Sequence, residues 1–188
     1  VKWSLGFCHG VAVDCEGRSG GLALLWRDHI SVTLRPWCQY YIDAEIMSEG
    51  RTVRFTGVYG EPRMEHRRKT WDALHYLRRQ DNLPWLCAGG FNEILFQTEQ
   101  KGGNPRNFNQ MEDFRECLGD CGLADLGFTG YPFTWDNRQE EGANIQVRHD
   151  RATCNDELLH LFAETAVEHV LMEESDHAAL LIRAAASL

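Results

Sequence analysis

Between residues 40 and 88 the chain spells strand, turn, strand, helix, strand, and this run limits the fold more than any other stretch. Residues 40–47 alternate Tyr41, Asp43 and Glu45 with Tyr40, Ile42, Ala44 and Ile46, the period of two that a strand requires. Ser48-Glu49-Gly50-Arg51 reads as a turn, and 53–59 as the returning hairpin arm. Pro62 permits a helix to start, and 64–80 carries Trp71, Leu74 and Leu77 at helical spacing. Residues 84–88 then form a short apolar run that suits a central strand.

The rest of the chain repeats this mixture. Strands are expected at 22–26, 30–34, 133–135, 144–152, 165–171 and 178–182. A second helix is expected over 108–121, with Met111, Phe114, Leu118 and Cys121 on one stripe, Asn109 as N-cap and Gly122 as stop; a short third covers 157–162. Ala23–Leu25 and Leu180–Ile182 are apolar at consecutive positions, which predicts strands covered on both faces. Two sheets packed face to face with helices outside account for this order, and 188 residues make one domain.

The net charge of −9 argues against a protein that coats nucleic acid through its overall field. A local basic surface is still compatible with it. Arg63, His66, Arg67, Arg68 and Lys69 cluster, followed by Arg78 and Arg79, and would wrap the solvent side of the first helix. Seven cysteines, odd in number and scattered, do not make a disulfide framework and favour a reducing compartment. Cys117 and Cys121 share a helix face, but no further zinc ligands stand at suitable spacing, so buried thiols are expected. No apolar run is long enough to span a bilayer and no signal-peptide pattern opens the chain, so the expected location is inside the cell, nucleus or cytoplasm, with no membrane partner.

Two short segments carry the chemistry. In Gly89-Gly90-Phe91-Asn92, strand alternation points residues 90 and 92 the same way and Phe91 into the core. Asn92 suits a phosphoryl oxygen or a water, and position 90 suits a carboxylate that activates water or binds a metal. Glycine does neither, and alternation turns Glu93 away. In Ser175-Asp176-His177, a carboxylate on another strand would orient the His177 imidazole, which would then donate to a phosphate, leaving Asp176 for a divalent cation. In Arg148-His149-Asp150-Arg151 the pattern puts Asp150 on the polar side and His149 on the apolar side.

In order along the chain, Val58-Tyr59, Gly89-Gly90-Phe91-Asn92, Phe133-Thr134-Trp135, Arg148-His149-Asp150-Arg151-Ala152 and Ser175-Asp176-His177 resemble the endonuclease/exonuclease/phosphatase superfamily. The stretch 17–26, Lys101-Gly102-Gly103 and the stretch 121–128 are similar to the endonuclease domain of plant LINE-type (non-LTR) retrotransposons. The resemblance covers nearly the whole chain. It implies an α/β four-layer sandwich of two mixed β-sheets flanked by helices. It implies phosphodiester hydrolysis with Mg²⁺ (or Mn²⁺), DNA as the substrate, and a fused or adjacent reverse transcriptase in the ancestral protein. Carried over by motif, Tyr59 contacts the scissile phosphate, Asn92 positions water or steadies the transition state, Asp150 pairs with His177, and Asp176 assists the metal. Trp135 matches an aromatic near the site, with core packing an equal role for it; Arg67, Arg68 and Arg148 join it as candidate nucleic-acid contacts.

The departures from the family matter as much. The family has Asp where this chain has Gly90, so a principal acid is lost and metal binding is expected to be weak. The resemblance also places an Asn-bearing strand and a metal-binding Glu upstream of Val1, so single domain 1–188 is expected to lack the first strands. Leu and Pro are usual at 149 and 179, where this chain has His149 and Ala179. The expectation is a Mg²⁺-dependent DNA endonuclease impaired in this copy. A non-catalytic nucleic-acid-binding remnant is the alternative, and a phosphatase of the same superfamily ranks third.

Overall fold

The computed structural model describes residues 6–16, 19–48 and 50–185. Val1, Gly17, Arg18 and Glu49 lie outside the described residues. In chain order the elements are β1 (His9–Glu16), β2 (Ser19–Trp26), β3 (Ser31–Leu34), β4 (Tyr41–Ser48), β5 (Arg51–Tyr59), α1 (Arg68–Arg78), β6 (Trp85–Gly90), β7 (Gln100–Lys101) and α2 (Phe108–Asp120). They continue with β8 (Ala124–Asp125), β9 (Thr129–Gly130), β10 (Trp135–Asp136), β11 (Gln146–Val147), β12 (Asp150–Cys154), α3 (Asp156–Leu161), β13 (Ala166–Val170) and β14 (Ala179–Arg183).

The main sheet runs β3-β4-β5-β6-β12-β8. It is mixed: β5 and β6 are parallel, joined over α1, and β12 returns antiparallel against β6. The expected hairpin is present, with Ser48 opposite Arg51 across the β4–β5 turn. Two three-stranded sheets, β14-β13-β9 and β10-β11-β7, and the β1–β2 hairpin complete the strands among the described residues.

Alternation along β6 shows what each face of the main sheet meets. Trp85 and Cys87 join a core with Trp71, Leu74 and Leu77 of α1 and Phe114, Cys117 and Leu118 of α2. Leu86 and Ala88 point the other way, into a core with Ala152, Val167, Leu180 and Ile182. Helices therefore cover one face and β13–β14 the other. Trp71 stacks on Phe114 at 4.6 Å between ring centroids, which locks α1 to α2. Arg54 and Asp43 form a buried ion pair at 2.8 Å on the helical face, so the polar row of 40–47 is not a solvent row.

Several expected boundaries move. The 64–80 helix divides into a 3₁₀ turn at Met64–His66 and α1, with Arg67 at the joint. The N-cap of α2 is Asn107, whose side chain accepts from the Asn109 backbone N–H at 2.9 Å, not Asn109 itself. The 144–152 strand becomes β11 and β12 in different sheets, and 133–135 reduces to β10. Arg148 lies between β11 and β12, where the chain passes from one sheet to the next, and its side chain pairs with Glu99 and Asp125. Ala23 and Leu181 are exposed, so neither apolar triplet is covered on both faces; β14 alternates instead, as an edge strand does. Among the described residues no helix is long and apolar enough to cross a membrane.

Candidate active site

Gly90 ends β6 in the row that faces β13–β14, and its neighbours on either side come from register. Tyr59 is its parallel partner on β5 and Asp150 its antiparallel partner on β12. A Cβ built on Gly90 would lie 3.1 Å from Asp150 Oδ1 and near nothing else. The adjacent glycines differ. Gly89 has φ 137° and a Cβ there would strike Val58 O at 2.2 Å, while a Cβ on Gly60 would meet Phe91 O at 2.4 Å. Gly60 and Gly89 are demanded by close backbone approach, and Gly90 is not.

The chain leaves the strand after Gly90, so residues 90 and 92 do not share a strand row as alternation predicts. Asn92 sits at φ 59°, a left-handed conformation that asparagine tolerates better than most residues. Its Nδ2 donates to Gly60 O at 2.6 Å, which fixes the amide and leaves its Oδ1 as the remaining acceptor. Phe91 is fully buried, as expected. Glu93 is fully buried too, ion-paired with Arg67 and approached by Arg106 Nε at 3.8 Å. It cannot replace the acid missing at position 90.

Asp150 and His177 meet. His177 Nδ1 lies 2.9 Å from Asp150 Oδ2, and the Asp150 backbone N–H donates to Thr134 Oγ1 at 2.9 Å. The Asp150 hydrogen bond raises the His177 pKa, burial opposes it, and the charges of Asp150 and Asp176 add to the rise. With Nδ1–H donating to the carboxylate, Nε2 is left for a ligand, as an acceptor in the neutral ring and as a donor in the imidazolium that the Asp150 hydrogen bond favours. Asp176 Oδ2 accepts from Trp135 Nε1 at 3.0 Å, and Trp135 bridges to His177 through the backbone. The Trp135 ring packs beside Ile94, Met111 and Val147. Trp135 is thus both a packing residue and the anchor of Asp176.

The other sequence candidates are distributed unevenly. Arg68 is 89% exposed. Arg67 and Arg148 are buried in ion pairs, which corrects the placement of Arg67 on the solvent side of the helix and leaves neither guanidinium open as a nucleic-acid contact: each faces an interior carboxylate. His149 lies against the Trp135 ring at 5.8 Å, with Nε2 3.5 Å from Arg106. Burial, and then the Arg106 charge, push its pKa down to about 3, so it stays neutral. Its Nδ1 finds no hydrogen-bond partner among the described residues.

Some contributors play roles that the sequence does not signal. Arg148 and Arg151 each bridge Glu99 and Asp125, forming a buried four-charge cluster whose arginines flank His149 and Asp150 in the chain. Arg138 donates to the carbonyls of Met172, Glu173 and Ser175 and so holds the loop that carries Asp176 and His177. A cavity of about 470 Å³ opens beside His177, lined by Tyr131, Phe133, Trp135, Arg138, Met172 and Asp176 among others.

A hard divalent cation needs several oxygen ligands in one place. Among the described residues no group of three carboxylates converges here. Asp150 is taken by His177, Asp176 is held by Trp135, and Gly90 offers nothing. The residues present do not make a complete Mg²⁺ site.

No family model matches the sequence, and no curated protein matches it. Solved structures do. The endonuclease domain of TRAS1, a telomere-specific non-LTR retrotransposon, matches with a TM-score of 0.74 at 16% identity, over 94% of this chain and 79% of that one. An endonuclease/exonuclease/phosphatase family protein from Leptotrichia buccalis C-1013-b matches at 0.60 and 15%, over 94% and 71%. Truncated Caenorhabditis elegans TDP2 matches at 0.57 and 13%, over 94% and 75%. Identities this low speak to architecture alone, and on that architecture the chain has the mixed α/β fold of endonuclease/exonuclease/phosphatase proteins.

Proposed function

We propose that the chain is a DNA-endonuclease domain of retrotransposon descent that holds phosphate but cuts poorly, with Mg²⁺ or Mn²⁺ bound weakly through Asp176. The observation that carries this reading is the Asp150–His177 pair, 2.9 Å apart, beside a Gly90 whose backbone does not require glycine. His177 Nε2–H donates to a phosphoryl oxygen as negative charge grows, and Asp150 holds the ring and steadies its positive form. Asn92 Oδ1 orients a water, and Tyr59 lines the phosphate position from β5. No group at position 90 accepts the proton of that water. Losing such a base costs a rate factor of about 10³ or more. In the ancestral protein a fused or adjacent reverse transcriptase would use the nick.

The test is nicking of supercoiled plasmid with Mg²⁺ or Mn²⁺. The unmodified chain should leave the plasmid closed, Gly90→Asp should restore part of the cutting, and adding His177→Ala to Gly90→Asp should abolish it. Robust metal-dependent nicking by the unmodified chain, lost in His177→Ala, would overturn the impaired reading. A second reading, a non-cutting binder of nucleic acid, draws on the same intact His177–Asp150 pair. Binding that persists at physiological salt, with Gly90→Asp still inert, would favour it.

A further inference from the structure

On the opposite face of the main sheet from the Asp150 row, α1 and α2 bring three metal-ligating side chains together. Cys117 on α2 and Cys121, the C-cap of α2, stand four residues apart and so share a face, and His75 reaches them from α1. One ligand atom from each lies within 4.8 Å of the others. Among the described residues this is the one such group. Both cysteines are buried, at 2% and 0% exposure. His75 Nε2 is buried as well and makes no hydrogen bond among the described residues. Asp120, next to Cys121 and well exposed, has its Oδ2 3.5 Å from that nitrogen.

We infer that His75, Cys117 and Cys121 form a zinc site, with Asp120 or a water as the fourth ligand. Two thiolates and an imidazole are a soft donor set that suits Zn²⁺ and not Mg²⁺. Tetrahedral Zn²⁺ with bonds of about 2.0–2.3 Å holds its ligand atoms about 3.3–3.8 Å apart. Closing the observed cluster to that size needs a shift of about 1 Å, within the range of side-chain adjustment. A buried imidazole nitrogen without a hydrogen bond is unfavourable, and a metal bond removes the deficit. The alternative, two packed thiols and an unrelated histidine, leaves Nε2 with one long contact to Asp120 at 3.5 Å and no hydrogen bond among the described residues. The ligands are split between two helices, so a filled site would clip α1 to α2. Each thiol gives up its proton on binding.

The experiment uses the whole chain, stripped of metal and titrated with Co²⁺ as a spectroscopic stand-in for Zn²⁺. Stoichiometric uptake is expected, with a thiolate-to-cobalt charge-transfer band that Zn²⁺ then bleaches. Zn²⁺ should raise Tm by about 5 °C or more. Cys117→Ser and Cys121→Ser should each abolish the band. His75 is half-buried on α1, so His75→Gln should keep the circular dichroism of the fold while weakening binding about 100-fold or more. If the cysteine variants do not fold, His75→Gln decides, and unchanged affinity in it overturns the proposal. No band with the unmodified chain, or a band that survives in the folded Cys117→Ser/Cys121→Ser double variant, overturns it too.

Discussion

Arg148, His149, Asp150 and Arg151 are consecutive, yet they serve two regions with opposite characters. Arg148 and Arg151 turn inward, where Glu99 and Asp125 answer each of them twice. Asp150 turns toward the site, where it has one strong side-chain partner, His177, and one open oxygen facing Gly90. His149 is left between them with a buried Nδ1 that has no hydrogen bond among the described residues. The inner cluster pairs each charge with two opposite ones, while Arg148 Nε and Arg151 Nε make no hydrogen bond among the described residues. Both acids would be raised by burial, but the arginines, Arg151 first by charge, bring each below its usual pKa. Mutual charge pairing is what a structural anchor needs. An unfilled valence is what a binding site needs. One short segment supplies both because the anchor fixes the strand on which the reactive carboxylate stands.

The largest expected effect comes from breaking the anchor. Arg151→Ala leaves Glu99 and Asp125 with one of their two arginine partners in the interior, a loss of about 3–5 kcal/mol. Asp150→Asn, on the same strand but at the partly open rim, should cost about 1 kcal/mol or less. Urea unfolding followed by circular dichroism separates them. Equal losses, or a larger loss for Asp150→Asn, would break the distinction.

Acid and base should strip the two regions in opposite directions. Glu99 and Asp125 have lowered folded pKa values, so their contribution is present above the unfolded value of about 4 and is lost as pH falls through the folded ones. His177 has a raised folded pKa, so its contribution is present below about 6.5 and is lost as pH rises through the folded value. Stability measured from pH 3 to 8 should show a steep acid limb that Arg151→Ala flattens. An NMR titration of His177 should show a midpoint above that of an unperturbed histidine. Asp150→Asn should move it back down, and Gly90→Asp, which adds a carboxylate beside Asp150, should move it further up. A midpoint indifferent to both variants would mean that the pair at 2.9 Å does not control the imidazole.

The two regions also differ in how far the sequence discloses them. Tyr59, Asn92, Asp150, Asp176 and His177 can be named as candidates because motif order follows strand order, and Gly90 stands out as a gap in that order. Helix α1 is legible from the spacing of Trp71, Leu74 and Leu77, all buried as that spacing predicts. What stays hidden is where charges go. Arg67 looks like part of a basic surface because Arg63, Arg68 and Lys69 surround it, and only the turn before α1 directs it to Glu93. Arg148 looks exposed by alternation, but alternation fails where the chain crosses from β11 to β12. Ion pairs between residues far apart in sequence leave no periodic trace, so neither Glu99–Arg151 nor Arg138 on its three carbonyls can be read in advance. The zinc cluster is half visible for the same reason: Cys117 and Cys121 share a period, and His75 arrives only through α1–α2 packing.

The smallest effect tests how the reactive side is held. Trp135→Phe keeps a ring against Val147 and removes the Nε1–H that Asp176 Oδ2 accepts at 3.0 Å. The bond is partly exposed, so its loss should cost about 1 kcal/mol or less of global stability. Arg138 still ties Met172, Glu173 and Ser175, so the loop should loosen locally without detaching. The readout is therefore local: amide exchange at Asp176 and His177 should quicken while Ala152 and Thr153 in β12 keep their protection. If Ala152 and Thr153 quicken equally, Trp135 is part of the anchor and the boundary between the two regions lies elsewhere. If only Asp176 and His177 respond, the tryptophan belongs to the site. Its indole N–H then sets where the Asp176 carboxylate can point, which is the property a weakly held cation would depend on.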